Sequence, residues 1–332
     1  MKGTQLFVVV NNSAARARAA WPRVRDALAG AGLKFEAQEP STPRETEGAS
    51  RAAFTEGFRT VAVVGGDGTL SAAASGYFTA GESLGEGDAP RAINSSASLA
   101  VLPAGTGDDF ARGISGGRRE PLEAWLARLV RHCRADAEGQ RVSESARGVD
   151  VLLGSVDGGA RRFVCINAAT LGIGAEVASR VAAQGDAVRR LPGEARFALA
   201  AVRSLAAWRN RRVRVRLDEA EWVTCATNLL AVVNGAYAGG GMNFSPRASL
   251  TDGLLDVLTV RGLARAELVR ELARVHRGGH LANPKITLAL GTRVRIETVD
   301  ASDALGVEAD GDVRGRTPAE FRIIPSALRV VC

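Results

Sequence analysis

With 332 residues, the chain is too long for one ordinary hydrophobic core, and two domains are expected. Apolar residues make up 46% and charged residues 24%, with 38 glycines against 11 prolines, which excludes a disordered or fibrous chain and points to tight functional turns. The formal net charge of +7, from 43 Lys and Arg against 36 Asp and Glu, suits a phosphorylated or anionic partner, or an anionic membrane surface.

The apolar run at 6–10 ends on two asparagines and reads as a first strand rather than a signal peptide. A helix with Trp21, Val24 and Leu28 on one face follows, then a short strand at 35–37 and a helix at 45–57. The strand at 61–64, a glycine turn and a helix at 71–78 come next. A Gly- and Asp-rich loop at 81–90 leads to a strand at 98–102. This alternation predicts βαβ units around a parallel sheet. From about residue 147 the pattern changes, with strands at 149–153, 162–167, 213–217, 227–233, 255–260 and 294–298 and helices at 194–208 and 264–276. The tail pieces 321–325 and 328–331 read as paired edge segments. The fold class is therefore α/β: an N-terminal nucleotide-binding domain with a parallel sheet (1–146) and a β-rich, sandwich-like domain (147–316). The last segment (317–332) returns to the first domain. No run of about 18 apolar residues exists, so no transmembrane helix is expected. Cys133, Cys165, Cys225 and Cys332 are scattered, without metal-ligand spacing or a disulfide framework. His276 and His280 are four apart, but Gly278 and Gly279 interrupt them and no third ligand is evident, so no zinc site is expected.

Three segments carry chemistry. Gly65-Gly66-Asp67-Gly68-Thr69 lies between a strand and a helix, where backbone N–H groups of Gly65, Gly66 and Gly68 can cradle nucleotide phosphates. Thr69 adds a hydroxyl, and Asp67 offers a hard oxygen to Mg²⁺; otherwise Asp67 is an acid that caps the next helix. Gly105, Thr106 and Gly107 form a second turn, backed by Asp108 and Asp109. It would hold the ribose and base of a nucleotide, or Asp108 is simply an N-cap. Both turns follow strand ends, where ligands bind in parallel sheets. Asn11 and Asn12 either hydrogen-bond the nucleotide or only shape their turn. Third, Glu308, Asp310 and Asp312 share strand parity in a polar break between Val307 and Val313. A carboxylate there can take the proton of an attacking hydroxyl; Asp310 is the candidate general base, with Asp312 orienting it or helping a metal. The alternative is a solvated turn.

Taken in order, these segments resemble the lipid kinase family whose catalytic domain is shared by diacylglycerol, sphingosine and ceramide kinases. Gly65–Thr69 is similar to the family's GGDGT turn, and residues 103–112 (PAGTGDDFAR) to its PxGTxNDFAR segment. Residues 167–174 resemble a third glycine segment, residues 239–256 the GGG…P.A…DG.LD stretch, and residues 308–312 the E.DGE segment. The resemblance covers nearly the whole chain and implies ATP and Mg²⁺ as cofactors, a nucleotide held by the two glycine turns with Glu308 nearby, and Asp310 as base. It also implies a structural magnesium site at Asp252 with the carbonyls of Ser249 and Leu254, although Asp-Gly is itself a common turn signal. Three positions depart from the pattern: Asp108 replaces Asn, Asp312 replaces Glu, and residues 11–14 (NNSA) replace NPxSG.

Residues 189–216 hold nine arginines and one acid, Glu194. A basic helix with Phe197 and Trp208 on one face suits an anionic membrane surface; the alternative is a solvated face of a packed helix. No nucleic-acid recognition motif accompanies the arginines, so no nucleic-acid partner is expected. A homodimer is compatible with the sequence, but no motif fixes it. The expected activity is ATP-dependent phosphorylation of a lipid hydroxyl (diacylglycerol, a sphingoid base or ceramide) at the inner face of the cytoplasmic membrane. Two alternatives stay open: a soluble NAD kinase-like enzyme, and a lipid or nucleotide sensor without turnover.

Overall fold

A computed structural model describes residues 6–79, 89–138, 145–185, 188 and 193–332. The first half alternates strand and helix: β1 (Leu6–Val10), α1 (Ala15–Gly30), β2 (Phe35–Gln38), α2 (Pro43–Thr55), β3 (Thr60–Gly65), α3 (Asp67–Tyr77), β4 (Ser98–Pro103), α4 (Asp109–Ile114) and α5 (Leu122–Ala137). The four strands are parallel, in the order β2-β1-β3-β4. The near-continuous apolar runs of β1, β3 and β4 are buried on both faces, as a helix-covered parallel sheet requires, while β2 is an exposed edge strand. Helices α1 and α5 contribute Ala17, Val24, Leu28, Trp125 and Leu129 to this core. Because β1, β3 and β4 run in register, the turns that follow them all open at one end of the sheet.

The second half is mainly antiparallel: β5 (Ala146–Val156), β6 (Arg161–Cys165), β7 (Ala168–Gly172), α6 (Ile173–Ala182), α7 (Gly193–Ala207), β8 (Arg211–Leu217), β9 (Val223–Val233), β10 (Tyr237–Ala238), β11 (Met242–Asn243), β12 (Leu255–Arg261), α8 (Arg265–Val275), β13 (Ile286–Gly291), β14 (Arg293–Thr298), β15 (Gly306–Ala309), β16 (Asp312–Arg316) and β17 (Ala319–Val331). Leu152, Val213, Leu230, Val257, Ile296, Val307 and Phe321 form its core. A third apolar cluster, with Phe244, Leu258, Leu263, Val275 and Ile286, lies around α8.

Two expectations are corrected. The tail is not a pair of edge segments. It is one strand, β17, which pairs with β5 along its length, with β14 through its first half and, in parallel, with β4 at its end. Pro325 only shifts the register between Ile324 and Leu328, since proline is tolerated at a bulge. The helix expected from residue 71 starts at Asp67, because Gly66 is its N-cap; Asp67 and Thr69 therefore belong to its first turn. Among the described residues, no helix is long and apolar enough to cross a membrane. Of the basic stretch 189–216, residues 189–192 lie outside the described residues, as do the side chains of Glu194 and Phe197.

Candidate active site

The two glycine turns touch. A Cβ on Gly105 would lie 2.5 Å from the Cα of Gly66, and a Cβ on Gly66 would lie 3.0 Å from the Cα of Gly105. Arg16 fastens this junction by donating to the Gly105 carbonyl at 2.8 Å. Asn11 organises the first turn: its Nδ2 donates to Thr69 Oγ1 at 2.8 Å, while its Oδ1 accepts from Ser13 and Ala14. One of the two Asn11 amide hydrogens remains for a ligand. Asn12 is held by its backbone, with its N–H on Pro40 and its carbonyl accepting from Arg18. Gly65 is buried and makes room for the Thr69 side chain, whereas a Cβ on Gly68 would meet open space. Thr106 is exposed at the tip of the second turn.

Carboxylates crowd against this junction. Asp67 Oδ1 accepts from the Phe110 N–H at 3.0 Å. Asp108 takes a left-handed backbone conformation (φ 50°), and its Oδ1 accepts from the Gly105 N–H at 2.9 Å. Asp109 is 2% exposed. Its Oδ2 accepts from the Gly240 N–H at 2.7 Å, and its Oδ1 is buried without a hydrogen-bond partner. Asp67 and Asp109 flank Gly107, whose Cβ would lie 3.1 and 3.2 Å from their Oδ2 atoms. Among the described residues, neither has an ion pair. Burial above all, with repulsion from Asp310 on Asp67 and from Asp67 on Asp108 and Asp109, raises the pKa values of all three acids, and that of Asp109 reaches about 6. The sequence places Asp109 behind the second turn but carries no signal that it is buried against Gly240.

The acids of residues 308–312 do not share a strand face. Ala309 pairs with Asp312, and Asp310 (φ 49°) with Gly311 (φ 95°) forms the two-residue tip of a hairpin. Positive φ at both central positions is the type I′ geometry, which Asp-Gly adopts readily. Parity fails at that tip. Asp312 is exposed beside Arg314, and the Asp310 carboxylate takes its bonds elsewhere. It folds back onto the segment between β6 and β7, accepting from the N–H groups of Ile166, Asn167 and Ala168 at 2.8, 3.1 and 3.2 Å. Ser71 Oγ, from α3, donates to its Oδ2 at 2.8 Å, and Cys165 Sγ to its Oδ1 at 3.3 Å. Glu308 accepts from Thr170 Oγ1 and the Gly311 N–H, both at 2.5 Å. Its pKa is pushed up to about 7, chiefly by burial and further by Asp310. Two contacts between the halves thus build the site: Ser71 with Asp310, and Asp109 with Gly240.

Ser249, Asp252 and Leu254 lie apart from this cluster in one loop. Asp252 Oδ1 accepts from the Leu254 N–H at 3.0 Å, and buried Asp150 anchors the loop through the Gly253 N–H at 2.7 Å. Sequence reasoning did not single out Asp150, which has no motif around it.

The acidic cluster fits a hard divalent cation. Asp109 presents a buried oxygen without a hydrogen-bond partner, and among the described residues no arginine or lysine forms an ion pair with it or with Asp67. Among the described residues, no three His, Cys, Asp or Glu side chains close on one point. Asp67 and Asp109 are the one or two carboxylates that Mg²⁺ takes before water and phosphate oxygens complete its shell.

The cost of holding Asp109 ionised gives a prediction. Its folded-state pKa lies above its unfolded value, so its contribution favours folding below about pH 4 and is lost as pH rises through about 6. In metal-free protein at pH 7.5, Asp109→Asn is expected to be more stable than the parent by about 2–3 kcal/mol. The two should converge near pH 3.5. Urea unfolding at both pH values checks this, and equal stabilities at pH 7.5 would show that the buried carboxylate carries no such cost.

Residues 5–138 match the model of the diacylglycerol kinase catalytic domain. Residues 169–332 match that of the YegS C-terminal NAD kinase beta sandwich-like domain. A protein of Pseudomonas aeruginosa strain UCBPP-PA14 named "Probable lipid kinase YegS-like" is 31% identical over 278 residues, covering 84% of this chain and 78% of that protein. In fold the chain is similar to a diacylglycerol kinase from Bacillus anthracis strain Sterne (TM-score 0.63, 16% identity, 100% and 97% of the two chains). It is also similar in fold to an NAD kinase from Archaeoglobus fulgidus solved in complex with ATP (TM-score 0.50, 12% identity, 98% and 92%).

Proposed function

Because the chain belongs to the YegS-like family of lipid kinases, built on the diacylglycerol kinase catalytic domain, we propose that it transfers the γ-phosphoryl group of ATP to the hydroxyl of a membrane lipid. The observation that carries this reading is the meeting of the two glycine turns beside Asp67, Asp109 and the anchored carboxylate of Asp310. Phosphoryl transfer needs alignment and charge neutralisation more than covalent chemistry. The first turn of α3, with Gly68 open to solvent and Thr69 held by Asn11, would receive phosphate oxygens. Asp67 and Asp109 would hold Mg²⁺ together with water and phosphate; the ion would offset the charge of the transferred group. Asp310 would accept the proton of the lipid hydroxyl, kept in place by three backbone N–H groups and Ser71. The turn at Ser249, Asp252 and Leu254 would hold a second, structural Mg²⁺. The enzyme would act at the inner face of the cytoplasmic membrane, on an anionic surface.

The test is transfer of labelled phosphate from γ-labelled ATP with Mg²⁺ into a total bacterial lipid extract, supplemented in parallel with diacylglycerol, sphingosine or ceramide. A labelled phosphomonoester in the organic phase is the expected result, and its identity names the acceptor. Intact ATP binding without any labelled lipid would overturn the reading. It would favour a soluble acceptor such as NAD, which the fold likeness to an NAD kinase makes the next compound to try.

A further inference from the structure

Helix α8 buries a carboxylate and turns part of its apolar surface to solvent. Against the domain it buries Glu271 and Val275, and Glu271 is held there by Arg270, Arg274 and Asn283. Toward solvent it turns Val269 and Leu272, which are 53% and 46% exposed. They are three residues apart and therefore adjacent on the helix surface. Exposed Ala266 and Ala273 extend the ridge. The other large exposed apolar residues (Val202, Val223, Leu290, Val299 and Val313) each stand on a different segment. Single exposed apolar residues are ordinary; a ridge on one helix points to a surface that something covers.

Charge identifies what covers it. Residues 261–285 hold five arginines and Lys285 against two glutamates, a surplus of four in a chain whose net charge is +7. Glu271 is buried and Glu267 is bound by Lys285, so the outer side presents mainly cations. Arg265 and Arg277, at the two ends of the helix, have no acidic partner among the described residues. Three of the four β8 arginines are engaged: Arg211 lies near Asp303 and Trp208, Arg214 pairs with Glu297, and Arg214 and Arg216 both stack on Trp222. A shallow Val–Leu–Ala ridge flanked by long cationic side chains matches an interfacial membrane helix, whose apolar face enters the acyl boundary while the cations reach lipid phosphates.

The helix is also wired to the site. His276 Nδ1 meets the Gly241 carbonyl oxygen at 3.3 Å, and the neighbouring Gly240 N–H is held by Asp109. We infer that α8 is the element that seats the protein on an anionic bilayer, with Val269 and Leu272 in the acyl boundary and Arg265 and Arg277 on lipid phosphates. This rests on the lipid-kinase reading: docking through α8 brings the loop that closes the acidic cluster to the surface holding the acceptor.

Co-sedimentation with phosphatidylcholine–phosphatidylglycerol vesicles, against phosphatidylcholine alone, tests it in the full-length protein. The parent should bind the anionic vesicles and release them as salt rises. Each arginine near an anionic surface is worth about fivefold in partitioning, so Arg265→Gln/Arg277→Gln should lose about 30-fold. Val269→Ser/Leu272→Ser should lose at least about tenfold. All four side chains are exposed, so melting temperatures should not move. Phosphorylation of a short-chain diacylglycerol dispersed as monomers should also stay at the parent rate, while phosphorylation of a vesicle-embedded acceptor falls. Parent-like binding by both variants overturns the inference, as does a parent that ignores anionic vesicles. A variant-dependent change in oligomeric state without vesicles also overturns it, by making the ridge a contact between copies. If no form phosphorylates a lipid yet only the α8 variants lose vesicle binding, docking stands and the kinase reading falls.

Discussion

Asp310→Asn is expected to lower kcat by at least about a hundredfold while ATP still binds, since a positioned general base contributes about 10²–10⁴-fold. The substitution also tests how the carboxylate is held. Oδ1 faces the N–H groups of Asn167 and Ala168, and Oδ2 faces the Ile166 N–H and the Ser71 hydroxyl. An amide NH₂ placed at either oxygen would confront backbone donors, so the hairpin tip would be displaced as well as stripped of its base. Ser71→Ala separates the two effects. It removes one donor to Oδ2 and leaves the carboxylate and its three backbone partners in place, so a loss of about tenfold in kcat with KM unchanged is expected. Single-turnover rates, with melting temperatures as the control, decide the matter. If Asp310→Asn keeps more than a tenth of the parent rate, Asp310 is an anchor for the turn. The proton acceptor would then be sought at Glu308, whose pKa of about 7 suits a base at neutral pH.

Gly105→Ala is the second large effect. The new Cβ would lie 2.5 Å from the Gly66 Cα and 2.7 Å from Asp108 Oδ1, and backbone on backbone cannot yield by rotating a side chain. The turns must separate by close to an ångström, a displacement that typically costs about 100-fold in a catalytic site. Both a lower melting temperature and a fall in kcat/KM of about that size are expected. Gly68→Ala is the informative contrast. A Cβ there meets nothing in the protein, and alanine favours the helix by up to about 1 kcal/mol. It should melt at or above the parent temperature and still bind ATP more weakly, because only the ligand would meet the methyl group. Thermal denaturation and ATP titration of both variants check this. Unchanged ATP affinity in Gly68→Ala would move the phosphates away from the start of α3.

Much of this protein is legible in its sequence, for reasons local to the chain. The buried runs of β1, β3 and β4 mark a parallel sheet because such strands are apolar on both faces. The ordered glycine segments identify the family. The Asp-Gly at residues 310–311 signals a type I′ turn through its backbone preference alone. Tertiary structure decided what local pattern does not carry. Strand parity put Glu308, Asp310 and Asp312 on one face, but the turn at Asp310 breaks the two-residue period and sends its carboxylate to amides about 140 positions earlier. Sequence put Asp109 behind the second turn beside Asp108; burial and the Gly240 N–H make it part of the acidic cluster. The tail looked like two edge pieces because Pro325 interrupts the run, whereas β17 is one strand that joins the two halves. Turns and apolar periods depend on a few adjacent residues. Burial, the partners of a carboxylate and the register of distant strands depend on which surfaces meet, and in this chain the halves meet at Ser71 with Asp310 and Asp109 with Gly240.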